Sequence, residues 1–112
     1  MDDHAGFRTF ARALLEADGF DVVAEASDGA SAMLAVERFN PHIVLLDIVL
    51  PDLDGFEVCA RLTERGRRER PAVVLTSSRD ATAYADRLDG CAARGFIPKD
   101  RLSGTALLSL AG

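Results

Sequence analysis

The chain is 112 residues long, 48% hydrophobic and 28% charged, and its 13 Lys and Arg against 18 Asp and Glu give a net charge of −5. This composition predicts one soluble domain, 1–112, with its own buried core. The acidic balance argues against a nucleic-acid or anionic-membrane surface, and no apolar stretch approaches the roughly 20 residues of a membrane span. Cys59 and Cys91 are too few for a disulfide framework, so we expect a reducing, cytoplasmic setting.

Helical and strand patterns alternate along the whole chain. Apolar residues recur at helical spacing over 7–15, 32–39, 55–62, 81–88 and 106–110. Strand patterns cover 20–26, 43–46, 72–75 and 96–97. The strand at 43–46 is apolar without alternation, which is typical of a strand buried on both faces of a parallel sheet. The order predicts an α/β fold of the doubly wound type, with right-handed crossovers and helices on both faces.

Polar side chains follow the ends of three predicted strands. Asp47, Thr76 and Lys99 each come directly after an apolar run, and Lys99 is the single lysine among thirteen basic residues. In parallel sheets, ligands bind at the carboxyl ends of the strands. Asp2 and Asp3 precede the first helix and are expected at the same edge.

These residue types suit the handling of a phosphoryl group. Three clustered carboxylates would repel one another unless a hard divalent cation lay among their oxygens, and Mg²⁺ has this preference. Asp47 is then the expected nucleophile toward phosphorus, while Lys99 and Thr76 hold phosphoryl oxygens.

Several motifs of the chain resemble those of a known family. The stretch IVLLDIVLPDLDG at 43–55 is similar to the phosphoacceptor region of bacterial response regulator receiver domains. The Asp2-Asp3 pair, VVLTS at 73–77 and GFIPK at 95–99 match the other motifs of that family in order and spacing. The resemblance covers essentially the whole chain and implies a flavodoxin-like sheet with strand order 2-1-3-4-5.

The resemblance also implies roles for individual residues. Asp47 would be the phosphoacceptor, and Asp2 and Asp3 would hold Mg²⁺ together with Asp47 and the backbone carbonyl of Val49. Thr76 would be the switch hydroxyl, Phe96 the switch aromatic, and Lys99 the phosphoryl-binding lysine. Pro51 and Gly55 would shape the loop beside the acceptor, and Ser77 would be the small residue that follows the switch hydroxyl.

One feature departs from the family, because its acidic pair follows a central strand and here only Met1 precedes Asp2. We therefore expect strand 1 to be largely absent, which leaves two edges unpaired inside the domain. One hypothesis is a translation start upstream of Met1. The rival hypothesis is strand exchange between protomers.

Other conspicuous residues receive plainer interpretations. His4 is expected to be an exposed residue at a helix start rather than a metal ligand, and Tyr84 to pack on the fourth helix. Asp52 and Asp54 are interpreted as a loop acid and a helix cap. Cys59 is expected to pack in the core, and the basic residues at 61–70 form a solvated helix end and loop.

The leading interpretation is a phosphorelay switch that has no output domain. We expect it to catalyse only its own phosphorylation and dephosphorylation and not to be an enzyme otherwise. Its expected partners are a sensor histidine kinase or phosphotransfer protein and a downstream protein target, without direct contact to nucleic acid or membrane. A homodimer would form through the fourth and fifth helices or by strand exchange. The alternatives are a degenerate interaction module that is not phosphorylated and a phosphoaspartyl hydrolase. The hydrolase is disfavoured because Val49 stands where a second aspartate is needed.

Overall fold

The computed structural model describes residues 1–64, 70–79 and 81–111. Among them, five α-helices surround a three-stranded sheet. The helices are α1 (Ala5–Ala17), α2 (Gly29–Phe39), α3 (Gly55–Leu62), α4 (Ala85–Asp89) and α5 (Gly104–Ala111). The strands are β1 (Ile43–Asp47), β2 (Ala72–Ser77) and β3 (Gly95–Pro98).

The sheet is open and fully parallel, in the order β1-β2-β3. Its register pairs Asp47 with Thr76 and Thr76 with Ile97, so the carboxyl ends of all three strands lie at one edge. This confirms the predicted α/β class, and it brings the polar strand ends together.

Alternate residues of each strand point to opposite faces, and both faces are covered. On one side Leu46 and Leu75 pack with Leu62 of α3 and with α2. On the other side Val74 and Ile97 join the cluster that contains residues of α1 and α5. A strand sandwiched between helix layers needs apolar residues at every position, which explains the continuous apolar runs in the sequence.

Side chains at the helix starts define where three of the helices begin. Asp28 accepts from the Ser31 N–H at 2.7 Å in a capping box, and Asp54 accepts from the Phe56 N–H, also at 2.7 Å. Ser103 accepts from the Ala106 N–H at 3.0 Å. Each of these bonds satisfies a donor that the first helical turn cannot satisfy itself. The predicted cap role of Asp54 is confirmed.

The predicted strand at 20–26 is wrong, because this segment has no regular structure. A cavity of about 660 Å³ separates it from β1. Met1 alone among the described residues bonds to that edge of β1, through Leu45 and Asp47 at 2.6 and 2.9 Å. The backbone N–H of Asp2 in turn donates a hydrogen bond to the Ala26 carbonyl at 2.9 Å. The segment has the right sequence for a strand, but without an adjacent strand it cannot form a ladder.

The fourth predicted helix is divided, with a 3₁₀ turn at Ala81–Tyr84 followed by α4. The basic stretch at 61–70 is described only at its ends. Arg61 is exposed and pairs with Glu57 at 2.8 Å, and Arg70 is also exposed, which fits a solvated surface. Its remaining arginines, 65, 67 and 68, lie outside the described residues. In the described part of the chain, no helix is long and apolar enough to cross a membrane.

The two cysteines should differ sharply in reactivity. Cys59 is fully buried in α3, and burial raises the pKa of its thiol to about 11, whereas Cys91 is only half-buried. Because the thiolate is the reactive form, maleimide at about pH 8 is expected to modify Cys91 first and Cys59 only after unfolding. Intact mass and peptide mapping check this order. Equal labelling rates in the native protein would contradict it.

Candidate functional site

Three residues from separate parts of the chain meet at the carboxyl edge of the sheet. Asp47 ends β1, and Lys99 follows β3 directly. The Lys99 Nζ lies 3.1 Å from Asp47 Oδ2 and 2.5 Å from Asp2 Oδ2. Asp2 and Asp47 are only 2% and 3% exposed. The structure therefore brings together the predicted acceptor, one member of the predicted acidic pair and the predicted lysine.

The charges of this cluster depend on one another. Burial raises the pKa of Asp47, and the neighbouring Asp2 carboxylate adds to that rise, against the opposing bonds from the Val49 N–H and Lys99. Burial also acts on Asp2, but donors from Lys99 and His4 outweigh it and hold its pKa below the ordinary value. Burial lowers the pKa of Lys99, yet the two carboxylates outweigh this and raise it. One ammonium, that of Lys99, is thus shared by two buried carboxylates, so one negative charge of Asp2 and Asp47 is not neutralised by it.

The donor set fits a small divalent cation. Ligand atoms of Asp2, Asp3, His4 and Asp47 all lie within 4.8 Å of one another. Asp2 Oδ2 is buried and accepts no hydrogen bond of acceptable geometry, even though the Lys99 ammonium is close to it. An unsatisfied buried oxygen is costly, and carboxylate oxygens are the ligands that Mg²⁺ prefers. Asp3 is half-exposed, so its carboxylate is open to solvent.

The remaining predicted switch residues lie beside the cluster. The buried Thr76 hydroxyl donates to the Ile97 carbonyl at 2.6 Å. Phe96 is half-buried, and its ring centroid lies 6.1 Å from that of Tyr84. The Tyr84 hydroxyl is also 3.0 Å from Ser77 Oγ. The sequence did not indicate this contact, because the two residues belong to different elements.

Asp52, which was predicted only as a loop acid, connects two parts of the chain. Its carboxylate accepts from the Gly29 N–H at 2.6 Å and the Ala30 N–H at 3.0 Å, so it ties the loop after Asp47 to the start of α2. These two bonds lower the pKa of Asp52. Its partners lie more than twenty residues away in sequence, which is why a local pattern could not reveal them.

Gly55 closes the same loop over the acceptor. Its N–H donates to the Ile48 carbonyl at 2.8 Å, and a Cβ at this position would lie 2.6 Å from Ile48 Cα and closer still to the Asp47 carbonyl. Val49 lies in the loop, and its N–H donates to Asp47 Oδ1 at 3.0 Å. The metal role of the Val49 carbonyl stays a prediction.

Gly55→Ala is expected to destabilise the protein by about 2 kcal/mol, because the obstructing atoms are backbone and cannot rotate away. Urea unfolding measures the loss. Gly6→Ala is the matched control, since Gly6 has open space around its Cβ position and lies inside α1, where alanine favours the helix by up to about 1 kcal/mol. Equal unfolding midpoints for both variants would contradict the steric argument.

The chain is similar to known proteins in sequence and in fold. The sequence matches the family described as the response regulator receiver domain over residues 1–109. BvgA from Bordetella pertussis, described as a positive transcription regulator of virulence factors, is 35% identical over 99 residues. That match covers 88% of this chain and 46% of BvgA, so the chain spans about half the length of such relatives.

Solved structures agree in fold. The signal receiver domain of the response regulator NarL from Mycobacterium tuberculosis is 33% identical, with a TM-score of 0.86 over 98% of this chain and 90% of that one. The BeF3-activated receiver domain of RstA from Klebsiella pneumoniae is 32% identical, with a TM-score of 0.80 over 97% and 90%. The family match, the parallel sheet and the acidic cluster beside Lys99 agree, and the chain belongs to the response regulator receiver domain family.

Proposed function

We propose that this receiver domain takes a phosphoryl group onto Asp47 from a sensor histidine kinase or a phosphotransfer protein, with Mg²⁺ as cofactor. The observation that supports this most directly is the buried Asp47 carboxylate, which lies 3.1 Å from the Lys99 ammonium beside two further acidic residues. A nucleophile, a cation for the phosphoryl oxygens and a set of metal ligands are the parts that phosphoryl transfer requires.

The transfer itself is a displacement at phosphorus. An Asp47 oxygen forms the new O–P bond as the P–N bond of a phosphohistidine breaks, and the leaving imidazole takes up a proton. The Val49 N–H holds one oxygen of Asp47 and fixes the carboxylate plane, while Lys99 pairs with a phosphoryl oxygen. When bound at Asp2, Asp3 and Asp47, Mg²⁺ neutralises charge on the phosphoryl oxygens.

The signal leaves the site through Thr76 and Phe96. The Thr76 hydroxyl donates to the Ile97 carbonyl, and a phosphoryl group on Asp47 offers it a second, more strongly charged acceptor. Transfer of that bond frees the carbonyl next to Phe96 and shifts the surface beside α4 and α5. A downstream protein target reads this change, or a second copy does in a homodimer. In this proposal the domain acts in the cytoplasm and does not itself contact nucleic acid.

Incubation with a small phosphodonor and Mg²⁺, followed by intact mass, tests the proposal. We expect a gain of about 80 Da, one phosphoryl group, mapped to the peptide that contains Asp47 and lost when EDTA is added first. Labelling at another residue, or labelling that persists when EDTA is added first, would overturn the assignment. We expect no turnover of phosphate esters, since Val49 replaces the second aspartate that a hydrolase of this type needs.

A second candidate is an interaction module that is not phosphorylated. The cavity of about 660 Å³ beside β1 favours it, because it leaves much of the outer edge of this strand accessible. This candidate predicts neither a mass gain nor Mg²⁺ binding under the same conditions.

A further inference from the structure

His4 lies at the mouth of the acidic cluster, where the sequence indicated only a helix start. Its Nδ1 is 3.2 Å from Asp2 Oδ1 and 3.1 Å from Asp3 Oδ1. Its backbone N–H donates to Asp2 Oδ1 at 2.8 Å, and its carbonyl accepts from the Arg8 N–H of α1. The backbone of His4 is thus held on both sides, while its side chain is 71% exposed and open to incoming ions.

These distances match those between ligands of one metal ion. Two atoms bound at about 2.1 Å in octahedral geometry lie about 3.0 Å apart when adjacent and about 4.2 Å apart when opposite. The His4 nitrogen lies at the adjacent spacing from both carboxylate oxygens, and the four candidate ligand atoms, all within 4.8 Å of one another, would have to close by about 0.6 Å at most to share one ion. The second oxygen of Asp2, Oδ2, is buried and accepts no well-oriented hydrogen bond, and the Lys99 ammonium lies 2.5 Å from it.

We propose that His4 is a metal ligand that makes this site prefer transition-metal dications, such as Co²⁺, over Mg²⁺. Imidazole nitrogen suits these ions, whose affinities for nitrogen and oxygen ligands rise along the first row, whereas Mg²⁺ gains little from nitrogen. The inference rests on the metal site of the proposed function and adds one ligand to it. It concerns which ion is bound, and the acceptor role of Asp47 does not depend on it.

Titration of the full chain with Co²⁺ and with Mg²⁺, by calorimetry and visible absorption, tests this role. His4→Gln is expected to weaken Co²⁺ binding by at least about tenfold and to alter the Co²⁺ absorption bands. Its Mg²⁺ affinity should stay within about twofold, because the carboxylates are unchanged. His42→Gln is the matched control. His42 is exposed and precedes β1, so it lies at the other end of that strand from Asp47, about 16 Å away at about 3.3 Å per residue.

NMR of the two histidine rings gives a second measurement that does not need a variant. Co²⁺ is expected to shift or broaden the His4 ring signals strongly and those of His42 little. An unaffected His4 ring, or equal Co²⁺ affinity in wild type and His4→Gln, would overturn the role of His4 and leave the Mg²⁺ site standing. If the wild-type chain binds neither ion, the metal site of the proposed function fails as well.

Discussion

Asp47→Asn is expected to take up no phosphoryl group under conditions that label the wild-type chain. The carboxamide has the shape of the carboxylate and keeps an acceptor for the Val49 N–H, which lies 3.0 Å from Asp47 Oδ1. It lacks the anionic oxygen that attacks phosphorus, so the fold is preserved while the chemistry is lost. Intact mass after incubation with phosphodonor and Mg²⁺ measures the result.

The control for this variant is Asp54→Asn. Asp54 belongs to the same loop, is partly exposed and caps α3, a role that asparagine performs about as well as aspartate. We expect Asp54→Asn to be labelled like the wild type. Labelling of Asp47→Asn at the wild-type level would show that Asp47 is not the acceptor. Loss of labelling in Asp54→Asn would show that any change in this loop abolishes labelling, so that the Asp47→Asn result would not identify the acceptor.

Lys99→Gln is expected to lower the free energy of unfolding by about 3 kcal/mol at neutral pH without divalent ions, the usual cost of removing one partner from a buried ion pair. The ammonium forms ion pairs with both Asp2 and Asp47, and without it two buried carboxylates lie close together. Added Mg²⁺ should restore part of the loss, because a cation again lies between the oxygens. Denaturant unfolding with and without Mg²⁺ measures both effects.

The pH dependence of this loss has a definite sign. Burial already raises the pKa of Asp47, and removal of the opposing ammonium raises it further. A carboxyl whose pKa is raised by folding destabilises the native state as pH climbs through that pKa, so the deficit of Lys99→Gln should shrink as pH falls. Asp47→Asn added to Lys99→Gln should recover much of the loss.

Arg101→Gln is the control for Lys99→Gln. Arg101 follows Lys99 by two positions and is exposed, so its removal is expected to change the free energy of unfolding by less than about 0.5 kcal/mol. Equal losses in the two variants, or a deficit in Lys99→Gln that grows toward acid pH, would contradict the pairing.

Much of the fold could be predicted because its signals are local. The apolar run at 43–46 and the one at 72–75 became β1 and β2, since a strand covered on both faces has no polar position to interrupt it. Asp47 and Lys99 were predictable as neighbours, because parallel strands place their carboxyl ends together. For these residues, position in the chain already implies position in the fold.

Other features depend on partners that are distant in sequence. The segment 20–26 has a strand composition but lies across a cavity from β1, and a ladder requires a second backbone at hydrogen-bonding distance. Asp52 was predicted only as a loop acid, and its carboxylate also accepts hydrogen bonds from the start of α2. Tyr84 was expected only to pack, and its hydroxyl lies beside Ser77.

The sequence by itself therefore determined most of the helix and strand periodicity, the cap at Asp54 and the residues proposed for phosphoryl transfer, because each follows from spacing along the chain. The tertiary structure alone decided that 20–26 is not a strand, that one ammonium is shared by Asp2 and Asp47, and that His4 faces the acidic cluster. Those outcomes depend on distances between segments far apart in sequence, and hydrogen bonds and charges respond to that distance rather than to position in the chain.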